Sequence, residues 1–337
     1  MPTSINIHEF LNLAKSHPIL DVRTPAEFAK GHIPGAFNLP LFTDEERVVI
    51  GTIYKQEGKQ PAIAKGLEFV GPRLHQFVAE AGKIANTGIL LLHCWRGGMR
   101  SGSMAWLFET YGFKSITLKG GYKSFRHHVI DSFSEPKKLL VLGGRTGSGK
   151  TLILHELKNQ GEQIVDLEKM ANHKGSSYGS LGEEKQLSQE QFENELFAAF
   201  EQIDKDKICW IEDESRKIGH NVLPDDFYFQ LRNARVAYVD LSIEARLDYL
   251  VQEYGKFKKE DLVAATQRIA KRLGGQHVKR AVEAIEEGDL RTACEISLVY
   301  YDKTYEYGVS LRDQEKVIRF PFDELNVTEI AKKIKMV

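Results

Sequence analysis

Short apolar runs alternate with stretches of helical periodicity along most of the chain, the pattern of parallel strands joined by helices. Ile19-Leu20-Asp21-Val22 and Ile89-Leu90-Leu91-Leu92-His93 read as buried strands, and Ser101 to Tyr111, closed by Gly112, reads as a helix with a glycine stop. A new strand, Lys138-Leu139-Leu140-Val141-Leu142, begins just after Ser134-Glu135-Pro136. A domain boundary placed there divides the chain into residues 1–135 and 136–337. Beyond it the pattern predicts a helix from Lys150 to Asn159, a strand near Gln163 to Leu167, and a glycine- and serine-rich loop from Asn172 to Gly182. A helix over Gln189 to Ile203 follows, then strands over Lys207 to Ile211 and Arg235 to Leu241, and mostly helical periodicity from Leu262 onward. The fold class is α/β: two parallel-sheet domains, the second with a helical C-terminal part.

A length of 337 residues suits two domains, and 42% apolar with 28% charged residues excludes disordered and fibrous classes. Cys94, Cys209 and Cys294 fit neither a disulfide framework nor a zinc ribbon, so a reducing, cytoplasmic compartment is expected. Met1 to Glu9 lacks the basic-then-apolar order of a signal peptide, and apolar runs are strand-length, so no membrane association is expected. The net charge of −1 conceals segregation. Gly182 to Glu214 is strongly acidic, whereas Leu262 to Val282 carries Arg268, Lys271, Arg272, Lys279 and Arg280 with no acid.

The first chemically loaded segment is His93-Cys94-Trp95-Arg96-Gly97-Gly98-Met99-Arg100-Ser101, between a strand and a helix. Backbone N–H groups of such a loop, and the positive helix end, converge on one spot, which favours a cysteine thiolate there. Arg96 and Arg100 would favour it further and hold an oxyanion. Cys209, inside an apolar strand, and Cys294, in a helical pattern, read as core. Asp21-Val22-Arg23 with Glu27 and Gly31-His32-Ile33-Pro34-Gly35-Ala36 resembles the opening signature of rhodanese domains, with Cys94 at their persulfide-forming position. Asp21, Arg23 and Glu27 are expected to tie the first strand to its helix. Five residues separate Cys94 from Arg100, a spacing that resembles the loop of cysteine phosphatases and suits a tetrahedral anion.

Gly144-Arg145-Thr146-Gly147-Ser148-Gly149-Lys150-Thr151 fits the phosphate-loop pattern, after a strand and opening a helix. Gly144 and the N–H groups of Gly147, Ser148, Gly149 and Lys150 would wrap a diphosphate, with the Thr151 hydroxyl available to Mg²⁺. The carboxylate expected to complete the Mg²⁺ shell is Glu212 or Asp213, at the end of a buried strand, and Asp213 is taken with Thr151 as the candidate pair. His173 and Lys174 either meet a substrate phosphate or belong to an ordinary polar loop. Arg268, Lys271 and Arg272, spaced for one helical face, with Lys279 and Arg280 after the Gly274-Gly275 break, suit RNA phosphates; the bland alternative is a solvated face.

The two loops in this order, with Asp44-Glu45-Glu46-Arg47, Gly51-Thr52-Ile53-Tyr54, Asn172-His173-Lys174-Gly175, Glu212-Asp213-Glu214-Ser215 and Arg272-Leu273-Gly274-Gly275, resemble the tRNA 2-selenouridine synthase family over essentially the whole chain. Lys174 stands where that family is expected to have arginine. The resemblance implies a rhodanese-like domain fused to a P-loop domain. It further implies S-geranylation of wobble 2-thiouridine in tRNA from geranyl diphosphate, then selenium transfer from selenophosphate by way of Cys94. Arg96, Gly97, Gly98, Met99 and Arg100 would hold selenophosphate, the phosphate loop the diphosphate of the second co-substrate, and the basic stripe tRNA. An enzyme that supplies selenophosphate is an implied partner, and a monomer is expected. Val48-Val49-Ile50 and Ile53-Tyr54 either line a geranyl pocket or pack in the core. Two rivals are a cysteine phosphatase or sulfurtransferase fused to a P-loop kinase, and a nucleotide-gated adaptor; neither accounts for both loops and the stripe.

Overall fold

The structure, a computed structural model, describes residues 2–85 and 87–336. The chain divides into two compact units: Met1–Ser132 with Glu193–Phe197, and Phe133–Phe192 with Ala198–Val337.

In the first unit, five strands form one parallel sheet in the order β1-β5-β4-β2-β3: β1 (Thr3–Ile5), β2 (Ile19–Asp21), β3 (Phe37–Asn38), β4 (Ile89–His93) and β5 (Lys114–Leu118). Central strands of a parallel sheet are covered on both faces, so their apolar runs are continuous rather than alternating. Leu90, Leu91 and Leu92 of β4 are accordingly all fully buried. Leu20, Val22, Leu90 and Leu92 share a core with Phe77 and Val78 of the helix Leu74–Ile84 and with Met104 and Phe108 of the helix Met99–Tyr111. The latter helix ends as expected on Gly112 in the left-handed conformation (φ 115°).

In the second unit the parallel order is β12-β11-β6-β8-β7: β6 (Leu139–Gly144), β7 (Gln163–Val165), β8 (Cys209–Glu212), β11 (Arg235–Leu241) and β12 (Val317–Phe322). A separate antiparallel pair joins β9 (Lys217–Ile218) to β10 (Asn221–Val222). The helices Lys259–Arg268, Ala270–Leu273, Gly275–Glu287 and Leu290–Ser310 pack around their own apolar clusters.

Helix Lys150–Asn159 and strand Arg235–Leu241 coincide with the sequence pattern. The strand read through Leu167 stops at Val165, because the Asp166 side chain accepts the Lys169 N–H and starts a short helix. β12 was hidden within the stretch read as helical. It is an edge strand containing Pro321, a residue that a central strand excludes. The basic stripe is not one helical face: Arg268 ends one helix, Ile269 leaves helical geometry (φ −95°, ψ 8°), and Lys271 and Arg272 lie in the next. Val48 and Tyr54 are exposed on the helix Asp44–Gln56, while Ile50 packs against the core. Among the described residues no helix is long and apolar enough to cross a membrane.

Asp21 and Arg23 at the end of β2 are both fully buried and paired, with Arg23 Nη2 to Asp21 Oδ2 at 2.6 Å and Arg23 Nη2 donating to the Gly31 carbonyl at 2.7 Å. The guanidinium also lies over the Tyr122 ring at 3.7 Å. Removing one partner of a buried pair leaves the other charge uncompensated. Arg23→Met is expected to destabilise the first unit by about 3–5 kcal/mol, read as a lowered urea midpoint; an unchanged midpoint contradicts a structural role for this pair.

Candidate functional site

Cys94 follows β4 at the carboxyl edge of the first sheet, where the loop enters the helix Met99–Tyr111. That helix begins on Gly98 with no side-chain cap, so its first amides face the loop. The thiol is buried, and its Sγ accepts from the Gly98 N–H and the Ser101 hydroxyl, each at 3.3 Å. Burial alone would raise the thiol. The Ser101 hydrogen bonds, the Arg100 charge and the Gly98 amide outweigh it and hold Cys94 below its ordinary value. Cys209 and Cys294 have no such donors, and burial pushes them up to about 12 and about 11.

The loop is closed by contacts to the turn after β5: the Tyr122 and Lys123 N–H groups donate to the Cys94 and Trp95 carbonyls at 2.8 and 3.0 Å. Gly97 (φ 65°) and Gly121 (φ 59°) meet there so closely that a Cβ on Gly97 would strike the Leu118 carbonyl. Arg100 is held by Glu27 in a bidentate pair, Nη1 to Oε2 at 2.6 Å and Nη2 to Oε1 at 3.1 Å. Glu27 therefore does more than tie strand to helix: while capping Thr24 it also fixes the loop arginine. Arg96 and Met99 are exposed at the loop. Beneath it, His93 is fully buried with neither ring nitrogen hydrogen-bonded, and burial lowers it to about 4 despite Asp21 at 3.7 Å.

In the second unit the loop between β6 and the helix Lys150–Asn159 turns through Gly147 (φ 83°) and Gly149 (φ 70°). Gly149 supplies no side-chain cap. Lys150 Nζ lies against the Gly144 carbonyl at 3.0 Å, inside the loop. The Ser148 hydroxyl is buried without a hydrogen-bond partner, an orphaned donor that an anion in the loop would satisfy. The Gly144 N–H donates to the Tyr305 hydroxyl at 2.7 Å, which in turn donates to Asp213 Oδ2 at 3.0 Å.

Asp213 is thereby engaged, since its other oxygen pairs with Arg312 and lies 3.6 Å from Arg232. Three further carboxylates, Glu168, Glu212 and Glu214, cluster near Thr151 and Lys150, while Asp240 and Glu306 pair with Arg145 of the loop. Thr151 donates to Glu168 Oε2 at 2.9 Å, and Glu212 Oε2 accepts the Leu167 N–H at 2.9 Å while its Oε1 is unpartnered. Burial raises all three acids; the neighbouring carboxylates add to this, and Lys150 opposes it at Glu168 and Glu214. The correction has a simple cause: adjacent residues beyond a strand point in different directions, and Tyr305, Arg312 and Arg232 come from segments whose approach no local pattern announces. Among the described residues no set of three or more His, Cys, Asp or Glu is arranged to hold a metal.

Lys174 pairs with Glu253 at 2.9 Å and lies 3.7 Å from Glu183, which ties the glycine-rich loop down. Arg268 donates to the Ser177 carbonyl and the Ser180 hydroxyl of that loop, and Arg268, Lys271, Arg272, Lys279 and Arg280 are all exposed.

A thiolate loop on one parallel sheet and a phosphate loop on another define a rhodanese-like domain joined to a P-loop domain. Residues 6–128 match the rhodanese-like domain model, and residues 137–335 match the model of the tRNA 2-selenouridine synthase AAA domain. A tRNA 2-selenouridine synthase of Nitrosomonas europaea is 40% identical over 70% of this chain and 63% of its own length. Those of Sulfurovum sp. and Shewanella frigidimarina are 36% and 34% identical, over 87% and 91% of this chain and 88% and 92% of their own lengths. The chain belongs to the tRNA 2-selenouridine synthase family.

The Ser101 hydrogen bond stabilises the thiolate of Cys94 over the thiol. A hydrogen bond to a charged group is worth about 1.5–3 kcal/mol, so Ser101→Ala is expected to move the midpoint of the pH–alkylation curve upward by about one to two units. A midpoint that stays in place contradicts this account of the thiolate.

Proposed function

We propose that this protein converts wobble 2-thiouridine of tRNA to 2-selenouridine in two steps, one at each loop. The observation that carries the reading is the pairing, in one chain, of a cysteine sulfur that accepts two hydrogen bonds at a helix N-terminus with a glycine-rich loop that holds an orphaned hydroxyl.

In the first step geranyl diphosphate lies with its head in the loop Gly144–Thr151. Lys150 exchanges the Gly144 carbonyl for a phosphate oxygen, and Ser148 and the loop amides take further oxygens. The 2-thiouridine sulfur attacks the first carbon of the geranyl chain. The carbon–oxygen bond breaks, diphosphate leaves, and the N3 proton passes to solvent. The oxygen donors Thr151 and Glu168, already hydrogen-bonded together, fit a hydrated Mg²⁺ better than Asp213, which is engaged by Arg312 and Tyr305. When bound, that ion would offset the charge of the departing diphosphate.

S-alkylation makes C2 of the base electrophilic and turns its sulfur into a thiol leaving group. The cysteine loop then activates selenophosphate. Attack of Cys94 on selenium would expel phosphorus at the oxidation level of phosphite, whereas attack on phosphorus balances without an oxidant. Cys94 takes the phosphoryl group, the selenium–phosphorus bond breaks, and hydrogen selenide is released beside the base. Selenide adds to C2, geranyl thiol departs, and water returns phosphocysteine to thiol and phosphate. The Gly98 amide and the loop arginines offset charge on the phosphoryl oxygens. The exposed Lys271, Arg272, Lys279 and Arg280, with Arg268, supply tRNA phosphate contacts.

Nucleoside mass spectrometry of thiolated tRNA incubated with the protein, geranyl diphosphate and selenophosphate tests the scheme. Cys94→Ala is expected to accumulate S-geranyl-tRNA without selenation, and Lys150→Ala to block geranylation while still selenating a pre-geranylated tRNA. Loss of geranylation in Cys94→Ala contradicts the division of labour, and radiolabelled selenium in place of phosphorus on the quenched protein contradicts phosphoryl capture. Generic phosphatase activity with no change to tRNA would favour the phosphatase–kinase rival.

Replacing Lys271, Arg272, Lys279 and Arg280 together by glutamine is expected to weaken tRNA binding and to flatten its dependence on log salt, each lost phosphate contact removing about 0.7–0.9 from the slope. A slope equal to that of the unaltered protein returns these residues to a solvated surface.

A further inference from the structure

A pocket lies wholly within the second unit, beside the phosphate loop. Its walls include Leu250, Leu262, Ile285, Ala293 and Leu298, and Thr146 of the phosphate loop borders it. The two are in direct contact, because Gly147 packs onto Leu250 so tightly that a Cβ on the glycine would lie 2.9 Å from that side chain. The Thr146 carbonyl is fixed by the buried Arg246, which is itself paired with Asp302. A ligand with its phosphates in the loop therefore has this pocket as immediate neighbour for the rest of its body.

The lining selects the chemistry of that body. Polar groups at the wall direct their hydrogen bonds into the protein: Tyr178 Oη to Thr266 Oγ1 at 2.7 Å, Ser297 Oγ to the Ala293 carbonyl at 2.9 Å, and Tyr301 Oη as acceptor of the Ser177 N–H at 3.2 Å. What faces inward is hydrocarbon and the rings of Tyr178 and Tyr254, tilted by 32° with centroids 5.0 Å apart. A nucleobase or ribose entering there would leave its own donors and acceptors unpaired, at about 1–3 kcal/mol each. A hydrocarbon chain leaves nothing unpaired and is favoured by about 0.8 kcal/mol per buried CH₂.

We propose that this pocket holds the geranyl chain and sets the accepted chain length, excluding nucleotides from the same phosphate loop. The inference rests on the reading of geranyl diphosphate as co-substrate. It moves the geranyl site from Val48-Val49-Ile50 and Ile53-Tyr54, in the first unit, to the second.

Chain length is the readout. Binding of inorganic diphosphate and of dimethylallyl, geranyl and farnesyl diphosphates to the full-length protein would be measured by calorimetry, and transfer to thiolated tRNA measured separately. Ala293→Phe is expected to weaken geranyl diphosphate at least about tenfold relative to dimethylallyl diphosphate, and Ile285→Ala to strengthen farnesyl diphosphate relative to geranyl. Inorganic diphosphate, which touches only the loop, should bind both variants as it binds the unaltered protein; this also verifies that they fold. An unaltered chain-length ranking in both variants overturns the pocket assignment, as does ATP binding tighter than geranyl diphosphate. Chain-length-dependent binding without transfer to tRNA instead overturns the proposed reaction and leaves the pocket standing.

Discussion

Backbone amides can converge on one anion only if the chain turns through the left-handed region, where a side chain is costly, and both sites depend on that constraint. Gly97 does this in the cysteine loop, and Gly147 and Gly149 do it in the phosphate loop. In each case φ alone understates the demand, since the space for a Cβ is also taken: by the Leu118 carbonyl at Gly97, by Leu250 at Gly147 and by Leu325 at Gly149. Parallel sheet topology supplies the rest, because it ends a strand and starts a helix at the same edge. Neither helix carries a side-chain cap on its first residue, in contrast to the capping boxes at Asn6, Thr24 and Thr43.

The two loops use that positive helix end differently. In the cysteine loop the ionisable group belongs to the protein, the Cys94 sulfur held by Gly98 and Ser101, and the arginine beside it is already matched by Glu27. In the phosphate loop the negative charge is expected from a ligand, and Lys150 meanwhile rests on the Gly144 carbonyl. Behind that loop, Glu168, Glu212 and Glu214 are held so close together that burial and mutual repulsion keep protons on them more readily than on ordinary carboxyls. Lys150 thus lies within the cradle on the Gly144 carbonyl, while Thr151, the next residue, donates to Glu168 of the acidic group.

What was legible in the sequence was whatever is written locally. The two loops, the strand before each and the helix after each stand in single unbroken segments, so the strand–loop–helix setting of Cys94 and of Gly144 to Thr151 was legible from the local pattern. Partners that arrive from far along the chain were not. Asp213 looked like a metal carboxylate until Arg312 and Tyr305, about a hundred residues later, were found to occupy it. The acidic partner of Thr151 was Glu168, and nothing in periodicity ranks one acid of a sheet edge above another. β12 was missed because Pro321 and the flanking charges mask an edge strand, and the basic stripe was read as one face because spacing does not reveal the break at Ile269. The pocket beside the phosphate loop was invisible for the same reason as Tyr305: its walls come from four separated helices and two loops.

One element joins that pocket to the loop it borders. The helix Leu290–Ser310 contributes Ala293, Cys294, Ser297, Leu298 and Tyr301 to the pocket, then Tyr305 to the Gly144 amide and Glu306 to Arg145. From Ala293 to Tyr305 is about 18 Å along the axis at 1.5 Å per residue, and a continuous helix over that distance moves as a rod. One continuous helix therefore fixes both the pocket wall and the phenol that accepts the first amide of the cradle, so the side chains lining the pocket and those holding the loop are set by a single element.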